Sequence, residues 1–379
     1  MGEWLPLLFN SIKMKTAFKS LIELNDYFKE EKTCFEFLAS QIWDEGKPVC
    51  PFCGSTHVYI TKSRSTKPSK KGIPEYRCAD KKCAKKFSAT TGTIFQSSKI
   101  PLRTWFAAIY LLTTSKKGIS SVQLGTQLGI TQKTAWYLNH RIRQMFLETA
   151  PEMLTGIIEV DETFVGGKNI NRHTNKKTNY EAGDQDKTPV LGILQRNGKV
   201  LTFVVPNVKR EILQPIMVDY VEKGSTLISD SFNSYIGLEN DYNHIRVKHT
   251  PGDYKTDSHF HTNNIENFWS TFKRGIFGIY HQVSPKHLHR YTTEFGYRYN
   301  NRTETPVIKF HDAVGKSYSK LLPYQTLIAG GNPRPKVSTN KTPKKVVVID
   351  KKKQKQKEED RFMKFLDNID PDSIPTPTE

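Results

Sequence analysis

The sequence predicts an α/β protein whose mixed sheet-and-helix half follows two smaller modules, one built around cysteines and one helical. Three observations point there. After Pro151, short β-branched runs bounded by Gly, Asn and Pro alternate with helical stretches. Four of the five cysteines form two pairs within residues 50–83, in a stretch rich in Lys, Ser, Thr and Gly that needs something other than a hydrophobic core. Between these regions, residues 102–146 carry apolar positions at helical spacing. A chain of 379 residues is long enough for two or three domains.

Charge narrows the partners. Lys and Arg number 57 against 38 for Asp and Glu, a net charge of +19. Such an excess favours a polyanion, because each phosphate neutralised releases condensed counterions. Nucleic acid leads, and an acidic membrane surface follows. No apolar run is long enough to span a bilayer. The opening MGEWLPLLFNSIKMK lacks the basic flank and small-residue cleavage site of a signal peptide. An odd cysteine count in a Lys-rich chain argues against a secreted disulfide scaffold and for a reducing, cytoplasmic compartment.

Taking the elements in order, residues 17–48 predict one or two short helices on Phe18, Leu21, Ile22, Leu24, Phe28, Phe35, Leu38 and Ile42, with Cys34 as a buried apolar residue. Residues 49–95 carry Cys50-Pro-Phe-Cys53-Gly and Cys78-Ala-Asp-Lys-Lys-Cys83. Two such knuckles can present four thiolates to one tetrahedral structural Zn²⁺, and Tyr76, Phe87, Gly54 and Gly92 suit a small zinc ribbon. Unrelated surface pairs or a redox CxxC are the alternatives. His57 could substitute as a ligand but is expected to be exposed, and Lys62, Arg64, Lys67, Lys70 and Lys71 would let the ribbon lie against phosphates, or form a solvated basic loop.

Residues 100–150 predict three helices, the last two laid out as a helix-turn-helix with Gly129 at the turn and Thr131 as N-cap. Gln132, Lys133, Thr134 and Tyr137 would point from the early turns of the second helix towards a DNA groove. Helical hairpins with such turns also occur without touching DNA.

Residues 155–305 predict the order β-β-β-α-β-α-β followed by helices, with Asn197-Gly198 as a hairpin turn. Asp161 ends the apolar run GIIEV, between acids at 159 and 162, and Asp230 ends STLIS ahead of a helix expected over SFNSYIGL. Either alone is as readily a helix cap. In HTNNIENFWSTFKRGIFG, Ile265, Phe268, Trp269 and Phe272 form an apolar stripe, with Glu266 and Lys273 seven apart on nearly one face. Clustered carboxylates are what phosphoryl transfer with two metals requires, and oxygen ligands suit Mg²⁺ or Mn²⁺.

Through CPFCGS, FSATTGTIF, VDETFVGGK, TPVLGILQRNGKV, ISD, HTNNIENFWSTFKRG, YHQVSPKHLHRY and EFGYRYNNR, from about Phe18 to Arg302, the sequence resembles bacterial insertion-sequence transposases with an N-terminal zinc ribbon, whose catalytic domain is shared with eukaryotic Merlin elements. The resemblance implies a ribonuclease-H-like catalytic domain and the acidic triad of DDE transposases on Asp161, Asp230 and Glu266, with 35 residues between the last two. Some relatives place Asn at the third position, where Asn263, Asn264 and Asn267 lie close to Glu266. Lys273, with Arg274 beside it, matches the basic position seven residues after the last acid, implying contact with transposon-end DNA. His259 and His261 are weighed as auxiliary ligands or phosphate contacts, and His281 as a DNA contact.

The resemblance further implies double-stranded DNA partners (element ends and target), a homo-oligomer pairing the ends and association with the nucleoid. A transposase-derived binding protein that no longer cuts, a zinc-ribbon transcription factor and a nuclease that does not rejoin are the rival readings. Residues 332–379, with NPRPK, KKKQKQK and PTPTE, are too charged and Pro-rich to pack, beyond one short helix near EEDRFMKFLDNI.

Overall fold

Helical spacing in the first part of the chain produces α1 (Leu21–Tyr27), capped by the Ser20 hydroxyl accepting the Glu23 N–H at 3.2 Å, and α2 (Glu31–Ile42). The computed structural model describes residues 18–61, 73–148, 151–167, 187–230, 233–247 and 260–329. All of these belong to one unit ending at Asn332. The basic stretch Lys62 to Lys71, His259 and the tail 332–379 lie outside the described residues.

Three antiparallel strands form the ribbon: β1 (Val58–Thr61), β2 (Glu75–Cys78) and β3 (Lys86–Phe87). Tyr76 and Phe87 pair across it with stacked rings 5.6 Å apart, and Trp43 sits edge-on to Tyr76 at 5.1 Å. Next come α3 (Leu102–Thr114), α4 (Ser121–Leu128) and α5 (Gln132–Met145). Gly129 turns between the last two at φ +64°, a left-handed conformation that costs glycine nothing, and Thr131 caps α5 by accepting the Thr134 N–H at 3.3 Å.

Ribbon and helices share one apolar core. Phe28 meets Phe106 at 4.8 Å and Phe18 meets Phe310 at 5.4 Å, edge to face. Phe310 belongs to α9 (Pro306–Gly315), and the core also takes in Leu322 and, from α10 (Tyr324–Ala329), Leu327. Cys34 is buried there, as an apolar residue should be. The chain after residue 305 thus returns to the first helices.

The second core surrounds a five-stranded sheet made of β4 (Ile157–Val165), β5 (Thr188–Gln195), β6 (Val200–Val204), β7 (Thr226–Asp230) and β8 (Asn243–Val247). Its order is β6-β5-β4-β7-β8, with the first three antiparallel and β7 and β8 parallel to β4. Asn197 takes φ +57° in the β5–β6 turn, as the sequence predicts. Alternation assigns the faces. Ile158, Val160, Leu191 and Ile193 pack with α6 (Arg210–Tyr220) through Leu213, Ile216 and Met217. Val190, Leu194 and Val200 pack on the other side with α7 (Asn263–Gly275) and α8 (Pro285–Asn300) through Ile265, Phe268, Trp269, Phe272, Leu288 and Phe295.

Two expectations change. The helix over SFNSYIGL is replaced, in the described part, by two 3₁₀ turns, Asn233–Tyr235 and Leu238–Asn240, separated by Gly237 at φ +93°, which no helix accommodates. Asp161 does not end its strand but sits in its middle, because β4 runs on beside β5 beyond its pairing with β7.

α5 is tied to the sheet half through buried charge. The Arg143 guanidinium pairs with the fully buried Glu294 carboxylate on α8, which also pairs with Arg298 and accepts the Tyr280 hydroxyl at 2.6 Å. Arg143 also lies 4.0 Å over the Tyr291 ring.

Gly192 sits opposite Asp161 across β4 and β5, and a Cβ there would come within 2.5 Å of the Trp269 ring. Gly192→Ala should therefore push α7 off the sheet and lower stability by about 1–3 kcal/mol, the usual cost of overpacking. Thermal denaturation reads this out, and an unchanged Tm would mean Trp269 yields freely.

Candidate metal and nucleic-acid sites

The four ribbon cysteines converge. Their sulfurs all lie within 4.8 Å of one another, Cys50 to Cys83 at 3.7 Å and Cys53 to Cys78 at 3.5 Å. These separations exceed the roughly 2.05 Å of a disulfide. They match the spacing of about 3.8 Å imposed on sulfurs by a tetrahedral ion with bonds of about 2.3 Å. Tight turns create the convergence: the Gly54 N–H donates to the Cys50 carbonyl at 2.9 Å, and the Cys83 and Ala84 N–H groups to the Asp80 carbonyl at 3.0 and 2.8 Å. The donor set therefore fits Zn²⁺ and leaves no open position for chemistry. His57 is exposed and outside the cluster.

The acids assemble differently. β4 and β7 pair as Ile157 with Thr226 through Glu159 with Ile228. Continuing this register by two residues sets Asp161 level with Asp230, side chains on the face that α7 covers. α7 brings Glu266 and, two turns on, Lys273. Asp161, Glu162, Glu266, Trp269, Ser270, Lys273, Arg274, Phe277 and Gly278 line one groove of about 720 Å³. Asp230 does not line it but acts on both β4 acids.

Burial raises the Asp161 carboxyl to about 6, with the charges of Asp230 and Glu266 adding and Lys273 opposing. Glu162 is raised to about 7, by burial first and then by Asp161 and Asp230, although the Tyr235 hydroxyl donates to it. Anions held at this cost are suited to a multivalent cation, and an all-oxygen donor set fits Mg²⁺ or Mn²⁺. Among the described residues only the cysteines place three or more ligand atoms within 4.8 Å of one another, so these carboxylates are more widely spread.

On α5, Gln132 and Lys133 are exposed and Thr134 is half-buried, whereas the Tyr137 hydroxyl donates to the Leu322 carbonyl at 2.9 Å and its ring meets Tyr324. Tyr137 is thus engaged with the returning chain. Lys273 and Arg274 are exposed on α7. His281 is exposed at φ +56°, and His261 is half-buried beside Arg196.

Sequence reasoning left Glu159 without a role. The structure buries it completely at the start of α7, where it accepts from the N–H groups of Asn264 and Ile265 at 3.0 and 3.1 Å, from Asn264 Nδ2 at 2.8 Å and from Arg196 Nε at 2.8 Å. The only signal was its phase: Glu159 and Asp161 share a face of β4.

A mixed α/β protein with a ribbon-borne cysteine cluster is the class these observations define. Residues 153–300 match the family profile described as ISXO2-like transposase domain, and residues 29–86 match that described as transposase zinc-ribbon domain. The chain is 26% identical, over 72% of its length and 91% of the relative's, to an uncharacterized protein in transposable element ISH50 of Halobacterium salinarum. It is 34% identical to an uncharacterized transposase-like protein of Haemophilus influenzae, over 27% of this chain and 82% of the relative. The chain belongs to the ISXO2-like insertion-sequence transposases with an N-terminal zinc ribbon. No helix among the described residues is long and apolar enough to cross a membrane.

Proposed function

We propose that this transposase binds the ends of its insertion sequence, cleaves the DNA and joins the freed 3′ ends to a target, with Asp161, Asp230 and Glu266 as the catalytic carboxylates. The observation that carries this is the buried Asp161 carboxyl on β4, which feels the charges of both Asp230 on the adjacent strand β7 and Glu266 on α7. The sheet order, three antiparallel strands followed by two parallel ones, supports a ribonuclease-H-like catalytic domain over residues 155–305. The three carboxylates would hold divalent ions such as Mg²⁺, which would supply activation of the attacking water or 3′-hydroxyl and stabilisation of the leaving oxygen.

The chain's own groups do the rest. Asp161, Asp230 and Glu266 would hold the ions through carboxylate oxygens. Lys273 and Arg274 line the groove beside Glu266 and would neutralise the phosphates that flank the scissile bond. Each step is an in-line displacement at phosphorus in which the bond to the leaving 3′-oxygen breaks as the new P–O bond forms, with no protein-bound intermediate. The ribbon and a helix-turn-helix within residues 100–150 would recognise the terminal repeats, with Gln132, Lys133 and Thr134 at the start of α5 facing the groove and Tyr137 supporting them. A homo-oligomer would pair the two ends.

Single-turnover reactions on end-sequence DNA test the proposal. Metal-dependent release of the 3′ end followed by strand transfer is expected, and gel-shift binding without nicking in Mg²⁺ or Mn²⁺ would refute it.

A further inference from the structure

Glu159 is a carboxylate with no exposed surface, two residues from Asp161 on the same strand face. Burying such a charge costs several kcal/mol unless it is fully bonded, and here it is: two main-chain N–H groups, the Asn264 amide and Arg196 all donate to it at 2.8–3.1 Å. The two N–H groups belong to the first turn of α7, which lacks intrahelical acceptors and attracts negative charge. Thr262, the residue before that helix, offers no side-chain cap to its own N–H groups. Its hydroxyl instead donates to Glu266 Oε1 at 2.7 Å. Arg196 completes the arrangement, its guanidinium bonding the His261 carbonyl at 2.9 Å while its Nε holds Glu159.

We infer that Glu159 is a positioning residue: it clamps the first turn of α7 so that Glu266 is held at the height of Asp161 for metal binding. The inference rests on the proposed function, since it takes Glu266 as a ligand. One strand then supplies both the first carboxylate and the reference point for the third. Asn264 and Ile265 are bonded to Glu159 directly, and Glu266 follows them in the same helical turn, so any slip of that turn moves its carboxylate. An ordinary buried ion pair would stabilise the fold without influencing metal affinity.

Glu159→Gln keeps the shape but loses the charge that gathers four donors. Its half-saturating Mn²⁺, measured by calorimetry on the full chain without DNA, should rise about 10–100-fold, the usual effect of removing a group that orients a ligand. In the metal-free variant the amides of Asn264 and Ile265 should exchange faster than in the wild type. Saturating Mn²⁺ should bring its cleavage rate back towards wild type, with DNA-end affinity unchanged. A folded variant with wild-type Mn²⁺ affinity overturns the inference, as does a rate loss that saturating metal leaves in place.

Should Glu159→Gln not fold, Asn264→Ala decides, because it removes one donor from an exposed side chain. A severalfold weaker Mn²⁺ affinity supports the clamp, and an unchanged one overturns it. Asp161→Asn, run alongside, separates the two claims. If it too binds Mn²⁺ and cleaves normally, the proposed metal site is wrong and the clamp falls with it; if only the Glu159 and Asn264 variants behave as wild type, the site stands and the clamp alone fails.

Discussion

Asp161→Asn and Asp230→Asn should each slow metal-dependent cleavage of element-end DNA by about 10²–10³-fold or more, the scale on which losing one preorganised electrostatic group raises a barrier. Binding of the same DNA should survive, because the exposed cations and the ribbon are untouched. Asp161→Asn should also relieve repulsion, since Asp161 is one of the charges raising Glu162. The variant is therefore expected to fold at least as well as the wild type while losing activity. Wild-type cleavage by either variant would remove these residues from the chemistry.

The same charges set a pH dependence. Folding lifts Asp161 to about 6 and Glu162 to about 7, above their unfolded values. A carboxylate raised in this way favours the folded state only while protonated. Its contribution is complete below the unfolded carboxylate range and is lost as pH rises through about 6 and then about 7. Metal binding needs the ionised forms and releases those protons. The gain in Tm on adding Mg²⁺ should therefore be small at acidic pH and larger on the alkaline side of both values. In Asp161→Asn that pH-linked gain should shrink, and a gain independent of pH would show that these acids do not meet the ion.

How far the sequence revealed this arrangement depended on the range of the interactions. Knuckle spacing, the turn at Asn197, the cap at Thr131 and the apolar run of β5 are local, and each is visible in a window of a few residues. Glu266 could be placed on a helix face from its own stripe of Ile265, Phe268 and Trp269. Glu159 could not be assigned, because its donors lie 37 residues away at Arg196 and 105 away at Asn264. Tyr137 looked free in α5 because the carbonyl that takes its hydroxyl is 185 residues downstream at Leu322. The helix expected after Asp230 failed for a conformational reason, the positive φ at Gly237, which periodicity does not register. Composition likewise hid the return of residues 306–329 to the N-terminal core, since short helices contribute only a few apolar residues each.

Stripping zinc, or changing Cys78→Ser, should unfold the ribbon and leave the five-stranded sheet intact. The ribbon's strands hold four, four and two residues. Ordering each residue costs about 1–2 kcal/mol of backbone entropy, which so small a sheet cannot repay by burial alone. A structural zinc supplies about 10–16 kcal/mol of binding free energy at neutral pH, enough to change the outcome. The sheet half has its own apolar clusters, formed without any ribbon residue, and no cysteine lies in it. Chelation should therefore release one zinc per chain, expose the 49–95 region to protease and abolish specific end binding, while Mn²⁺ affinity at the carboxylates stays the same. Because Trp43, Tyr76 and Phe87 connect the ribbon to the aromatic core of α1 and α2, those helices should loosen as well. Full protease resistance after complete zinc removal would mean that this aromatic contact, and not the metal, holds the ribbon.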